Sequence, residues 1–395
     1  MSNGGFEGES KDGRFGSGTD VHPIGRSQRD TPAGEDRKAA SVREMLFVEL
    51  LGGLGDTLIS LQAIQGLARS YPKARLTVLT FSPGGELLEG DPLIHEVVQV
   101  SKPDSTRPRR AREAVEEMLA WGGWDLVVSD TSYDDIDALI RNCGAPHTAT
   151  NVWRSPPPDE RVGERFLRIL LADGLIESEA ISPPRLHLTP KECSFAAERL
   201  ADLRRPLAFL LPDAGMEVKR WPEERWGALG RALRDRYGAD VVVPVGADPE
   251  QASRVARSVG ERARVWPRGS LRGLAAALSC ADIAVGADTG PLRIAATLDV
   301  PTVMLFGPAW HGRYGQPPPH GNLQGHPECP QRVVSDFTRQ PCWYSGTCTL
   351  EDRSWRTCLE DISVEDVLAT AAVFLDNRSK EEVVVREASI YGGAG

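Results

Sequence analysis

The sequence predicts an α/β chain made of two doubly wound parallel sheets that face each other across a cleft. Three observations carry that expectation. Short apolar runs alternate with segments of helical periodicity, the rhythm of a parallel sheet covered by helices on both faces. The alternation runs twice, with the Pro-rich stretch Ile181–Pro190 between the two series. A length of 395 residues also exceeds what one ordinary hydrophobic core organises.

The first series opens with Met45–Leu50 (MLFVEL), an apolar run that reads as a buried strand. A glycine-rich turn follows, then Asp56–Ser70, where Ile59, Ala63 and Leu67, and Leu58 and Leu61, recur at helical spacing. Arg75–Thr80, Glu96–Val100 and Asp125–Ser129 supply further strands, and Ala111–Trp121 a further helix. In the second series the strands are Leu207–Leu211, Asp240–Val245, Asp282–Val285 and Pro301–Phe306, and the helices Glu223–Tyr237, Pro249–Val259 and Leu271–Cys280. Two Rossmann-like domains result, 44–190 and 191–376, whose strand C-terminal ends border a ligand cleft. Residues 1–43 carry too little apolar surface to offset ordering and are expected to be disordered; 377–395, charged and then Gly-rich, are expected to be flexible. Residues 317–339, rich in Pro, Gly and His, are expected to loop over the cleft. Val364–Leu375 reads as an amphipathic helix with Val367, Leu368, Ala371 and Leu375 on one face, either crossing back to the first domain or packing on its own.

Composition narrows the function. With 41% hydrophobic and 26% charged residues the chain has the balance of a globular protein. A net charge of −10 argues against nucleic-acid binding, which needs a basic face. No apolar stretch reaches transmembrane length and no secretory signal opens the chain, so a cytoplasmic protein is expected, with peripheral membrane contact left open.

The sharpest chemical signal is Gly286–Ala296, GADTGPLRIAA. A strand ends at Val285 and a helix opens near Pro291, proline being favoured in a first turn. Thr289 and Gly290 then present backbone N–H groups at a helix mouth, where a phosphate is stabilised, and Arg293 adds a charged fork one turn in. A plain βα turn is the other reading. Lys219, after strand Leu207–Leu211, reads as a point charge for phosphate or as a solvated surface lysine. Glu250, after strand Asp240–Val245, can accept from ribose hydroxyls or simply favour its helix dipole. In the first domain Leu51–Thr57 (LGGLGDT) places Gly52, Gly53 and Gly55 in a tight turn where a substrate can approach. Asp56 then stands at the helix start. A carboxylate there can take a proton from an attacking hydroxyl or cap its own helix. The string is not GxGxxG, so a nicotinamide enzyme is the weaker reading.

The chain resembles glycosyltransferase family 9, the heptosyltransferase-like proteins. LGGLGDTLISLQAIQGLARSYPKARLTVLT, VKRWPEERW, VGADPE, ADTGPLRIAATLDVPTVMLFGPA and RYGQP match that family in order over residues 45–375. The resemblance implies a GT-B fold and an inverting, metal-independent enzyme that moves a sugar, commonly heptose from ADP-heptose. It implies Asp56 as catalytic base, Lys219, Thr289 and Gly290 on the diphosphate, Glu250 on the ribose and Asp288 on the sugar hydroxyls. The family usually has His where this chain has Arg293, which keeps a positive donor but cannot lose its proton. The implied partners are a nucleotide-diphosphate sugar and an acceptor, either lipopolysaccharide core or a small natural product. A nucleotide-sugar 2-epimerase and a non-catalytic nucleotide-sugar binder are the rival readings.

Seven cysteines are present. Cys329, Cys342, Cys348 and Cys358 cluster in sequence without the CxxC pairs usual for structural zinc. They read as buried thiols. The alternative is a structural zinc or iron site with His326 as an extra ligand, iron binding through cysteines being implied by similar bacterial protein-heptosyltransferases. No cofactor is expected to be required.

Overall fold

The computed structural model describes residues 42–150, 152, 160–334, 336, 339–350 and 357–391. Of residues 1–43, expected to be disordered, 1–41 lie outside them, whereas Val42 is placed and buried in the core. The first half runs β1 (Glu44–Glu49), α1 (Leu54–Ser70), β2 (Arg75–Phe81), β3 (Glu96–Val100), α2 (Arg110–Ala120), β4 (Leu126–Ser129), α3 (Ile136–Arg141), β5 (His147–Ala149) and α4 (Val162–Ala172). After α5 (Pro190–Leu200) the second half runs β6 (Leu207–Leu211), α6 (Glu223–Tyr237), β7 (Asp240–Pro244), α7 (Pro249–Val259), β8 (Ala263–Trp266), α8 (Leu271–Leu278), β9 (Ile283–Ala287), α9 (Gly290–Thr297), β10 (Thr302–Phe306), α10 (His311–Tyr314), β11 (Gly321–Gln324), α11 (Pro341–Ser345) and α12 (Val364–Tyr391).

Both sheets are parallel, with orders β3-β2-β1-β4-β5 and β11-β10-β9-β6-β7-β8. Chain order reverses between β1 and β4 in the first and between β6 and β9 in the second. Ligands of open α/β sheets bind outside such reversals, at the strand C-terminal ends. The central strands are apolar because helices cover both their faces; every residue of β6, β7, β9 and β10 is buried.

The edge strands β5 (HTA), β8 (ARVW) and β11 (GNLQ) were not foreseen, because short half-covered edges lack an apolar run. β11 also corrects the expectation of a continuous loop over 317–339. The last helix passes the expected end at Leu375 and reaches Tyr391. Between Asp376 and Tyr391 neither Gly nor Pro interrupts a sequence rich in Glu, Lys and Arg. Val367, Ala371 and Leu375 bury in the core of the second sheet, so this helix packs on its own half.

The halves are joined by packing as well as by chain. One apolar cluster runs from Met45, Leu58 and Leu61 of the first half to Leu292, Ala295 and Phe306 of the second. At its upper end α1 and α9 meet. A Cβ on Gly290 would stand 2.6 Å from Cγ and 2.7 Å from Cβ of Leu54, too close to tolerate. Gly290→Ala is therefore expected to weaken interlobe packing and lower the melting temperature, and Leu54→Ala in the same chain to restore part of the loss. Equal melting temperatures for Gly290→Ala and wild type would contradict that contact.

Candidate active site

The two strand reversals border one cavity of about 550 Å³. From the first half it is lined by Gly53, Leu54, Gly55, Asp56 and Ile59, and from the second by Lys219, Asp288, Thr289, Gly290, Arg293 and Tyr314. Asp336 and Trp343, from the segment after β11, close it.

The glycines of the first turn each answer a local demand. Gly52 has φ +133°, which L side chains rarely adopt. A Cβ on Gly53 would stand 2.9 Å from Oδ2 of Asp56. That oxygen instead accepts the Gly53 N–H at 2.7 Å, which fixes the carboxylate at the start of α1. Asp56 is not the N-cap itself, which is Gly53, but the third residue of the first turn, where its carboxylate closes the helix start and also lines the interlobe cavity. Burial pushes its carboxyl above the usual carboxylate range, against the pull of the Gly53 amide and the Arg293 and Lys219 cations.

On the facing half Asp288 holds the two cations. Nη2 of Arg293 donates to its Oδ1 at 2.8 Å and to the Tyr314 carbonyl at 2.6 Å. Lys219 Nζ stands 3.3 Å from Asp288 Oδ2. Burial opposes ionisation of Asp288, yet Lys219 and Arg293 outweigh it and hold the carboxyl below its ordinary value. The positions of the cations follow from the chain: Lys219 ends a 3₁₀ turn after β6, and Arg293 lies one turn into α9. Gly55 abuts Arg293, its absent Cβ falling 3.6 Å from Nε. The N-termini of α1 and α9, each the positive end of a helix dipole, thus both border the cavity.

Glu250 is not brought there. It is exposed in the first turn of α7, where Asp248 accepts its N–H at 3.0 Å, and it lies outside the cavity lining.

A second group of acids lies behind Asp56 and was not foreseen. Glu49 ends β1 at 1% exposure and accepts from Thr57 Oγ1 at 2.7 Å and Thr80 Oγ1 at 2.5 Å. Asp130, fully buried after β4, accepts from Ser60 Oγ and Thr131 Oγ1. Thr57 and Ser60 share the sheet-facing side of α1, so the helix that carries Asp56 is tied at two points to buried carboxyls. Burial, the neighbouring Asp130 and Asp56 raise the Glu49 carboxyl well above its ordinary value. Burial raises Asp130 to about 7, against the hydroxyls of Ser60 and Thr131. The sequence did hold a signal, an acid at the end of each of two otherwise apolar strands.

These shifts have a pH consequence. A carboxyl whose pKa is higher folded than unfolded contributes stability that is complete below its unfolded value, 3.8 for Asp130, and lost as pH rises through about 7. Asp130→Asn keeps an acceptor for Ser60 and removes the titration. Its melting temperature should fall less than that of wild type between about pH 4 and 7; parallel curves would show that Asp130 does not titrate there.

The four C-terminal cysteines converge in space. Cys329, Cys342, Cys348 and Cys358 line one small enclosed cavity together with His326. Burial pushes the Cys358 thiol up to about 12 and raises Cys342 as well. Among the described residues no group of three or more His, Cys, Asp or Glu side chains is arranged to hold a metal ion.

Comparison with known proteins bears on family and fold. Residues 164–334 match the family model described as glycosyltransferase family 9 (heptosyltransferase). The chain is 29% identical to lipopolysaccharide heptosyltransferase 1 of Pseudomonas aeruginosa over 80% of its own length and 90% of that protein. Among solved structures, a family 9 glycosyl transferase from Veillonella parvula superposes with a TM-score of 0.70 at 19% identity, covering 85% of this chain and 98% of that one. The ADP-heptose lps heptosyltransferase II of E. coli gives 0.60 at 19% identity, covering 85% and 99%. The facing parallel sheets are therefore the GT-B arrangement, and the family model and the Pseudomonas relative make the chain a glycosyltransferase similar to the heptosyltransferases of family 9.

Proposed function

We propose that this enzyme transfers a heptose from ADP-heptose, with inversion, to a hydroxyl of a lipopolysaccharide-core acceptor. The observation that carries the reading is the meeting of Asp56 with Lys219, Arg293 and the mouth of α9 in one interlobe cavity. The heptose donor and the acceptor class rest on the printed names of the Pseudomonas relative and the E. coli fold neighbour.

In this mechanism the acceptor oxygen attacks the anomeric carbon from the side of Asp56, which takes its proton. The bond from that carbon to the diphosphate oxygen breaks on the opposite face, and ADP leaves with the electron pair. A raised pKa suits Asp56 to a proton acceptor. Lys219, Arg293 and the amides at Thr289 and Gly290 meet the charge that grows on the leaving diphosphate, in place before the reaction begins. Asp288 keeps both cations oriented and offers an acceptor to the sugar hydroxyls. Glu250, outside the cavity in the first turn of α7, is assigned to the ribose, with the nucleoside running out of the cavity toward that helix.

The test is incubation with ADP-heptose and a heptose-free lipopolysaccharide core, following ADP release and the mass of the acceptor, beside UDP-, GDP- and dTDP-sugars. Acceptor gaining one heptose with inverted anomeric configuration supports the reading. An epimerised sugar from donor alone would make the protein an epimerase. Tight donor binding with neither transfer nor hydrolysis would make it a binding protein.

A further inference from the structure

The cavity has a third wall that the mechanism above leaves unused. It is formed by α11, whose Trp343 lines the cavity with Asp56, Lys219 and Asp288. The Lys219 ammonium stands 5.7 Å from the centre of a Trp343 ring, within range of a cation–π interaction.

Trp343 is held from behind. Gln340, 1% exposed, donates its Nε2 to the Pro308 carbonyl at 3.0 Å and accepts the Val333 N–H at 3.0 Å. The Gln340 carbonyl in turn accepts the Trp343 N–H at 3.1 Å. The preceding Cys342 faces away from the cleft, into the small cavity lined by the other three clustered cysteines. Gly346, at φ +75°, closes the short helix with its N–H on the Cys342 carbonyl at 3.0 Å. The backbone that carries the indole is thus anchored at several points.

The contents of the cavity indicate what that surface meets. Asp56 and the cations Lys219 and Arg293 all line it, whereas Glu250 does not. On the function proposed above, the reacting carbon and the pyrophosphate lie inside it and the nucleoside, with Glu250 on its ribose, outside. An aromatic face beside the pyrophosphate cation, in the compartment of the base, is suited to the C–H face of a pyranose ring and to keeping water off its anomeric carbon. We infer that Trp343 is a donor-specificity residue that packs on the transferred sugar, holds it against Asp288 and excludes water from the reacting centre. This rests on the reading of the cavity as a nucleotide-sugar site.

The experiment compares wild type, Trp343→Phe and Trp343→Ala by calorimetric titration with ADP and with ADP-heptose, and by the ratio of donor hydrolysed to donor transferred. In wild type the heptose is expected to add to ADP affinity. Trp343→Ala should bind ADP within about twofold of wild type and ADP-heptose about 3- to 10-fold more weakly, with more hydrolysis per transfer. In that side reaction water replaces the acceptor hydroxyl, its proton passing to Asp56 as the bond to ADP breaks. Trp343→Phe keeps an aromatic face and should recover most of the difference, which separates loss of the ring from loss of folding. Equal weakening toward ADP and ADP-heptose, or no weakening toward either, overturns the inference and leaves the donor site standing. A wild-type protein that binds ADP but gains nothing from the heptose removes the heptose donor itself, and the role of Trp343 with it.

Discussion

Asp56→Asn is expected to lower turnover by about 10²- to 10⁴-fold, the usual contribution of a positioned general base, while ADP-heptose affinity stays within a few-fold of wild type. The substitution is nearly isosteric, and the amide oxygen can still accept the Gly53 N–H that now binds Oδ2 at 2.7 Å. What is lost is the capacity to take the acceptor proton as the new bond forms. Because burial raises the carboxyl above its ordinary value, the acid limb of kcat/KM in wild type should lie above the normal carboxylate range. Turnover near wild type in the variant, or an acid limb at an ordinary carboxylate pKa, would take Asp56 out of the role.

Arg293→Ala should damage both folding and binding. Arg293 is 5% exposed and supplies two hydrogen bonds, to Asp288 and to the Tyr314 carbonyl. Its removal leaves Asp288 to Lys219 alone, at 3.3 Å. Breaking a buried pair from one side costs about 3–5 kcal/mol, readable as a drop in the urea midpoint. ADP affinity should fall by about 10- to 100-fold, the worth of a lost charge-assisted hydrogen bond. Arg293→His, whose charge depends on pH, makes the sharper comparison. Arginine is charged at every working pH, whereas histidine loses its proton near pH 6.5 unless its surroundings shift it. Nucleotide affinity should thus acquire a fall with rising pH that wild type lacks. An Arg293→Ala protein that unfolds and binds ADP as wild type does would remove Arg293 from the diphosphate site.

The parts of this molecule legible in sequence are those whose physical demands are local. β6 (LAFLL) and β10 (TVMLF) are buried on both faces and must be apolar throughout, so they announce themselves. Lys219 and Arg293 are found by their distance beyond such strands, which puts them at the C-terminal rim, whereas Asp288 was implied only by the family resemblance. Tertiary partners are a different matter. Gly290 was assigned to phosphate approach, yet the atom that forbids a side chain there belongs to Leu54 on the other half. Glu49 and Asp130 stand 81 positions apart and acquire significance only when parallel pairing sets β1 beside β4. Trp343 sits in a segment with no periodicity, and its place in the cleft depends on anchors as distant as Pro308.

The shared apolar cluster that runs from Met45 to Phe306 has a bearing on how such enzymes can be re-engineered. Two halves on separate sheets invite exchange between relatives, one half grafted onto another. Here the graft line would cut through side chains of α1 and α9 that fill one another's space, Leu54 against Gly290 foremost. A chimera that takes one half alone inherits a mismatched seam, whereas one that carries α1 and α9 together keeps the fit. Recombinants with the crossover in the loop before α5 should accordingly be poorly soluble until that pair of helices is drawn from a single parent.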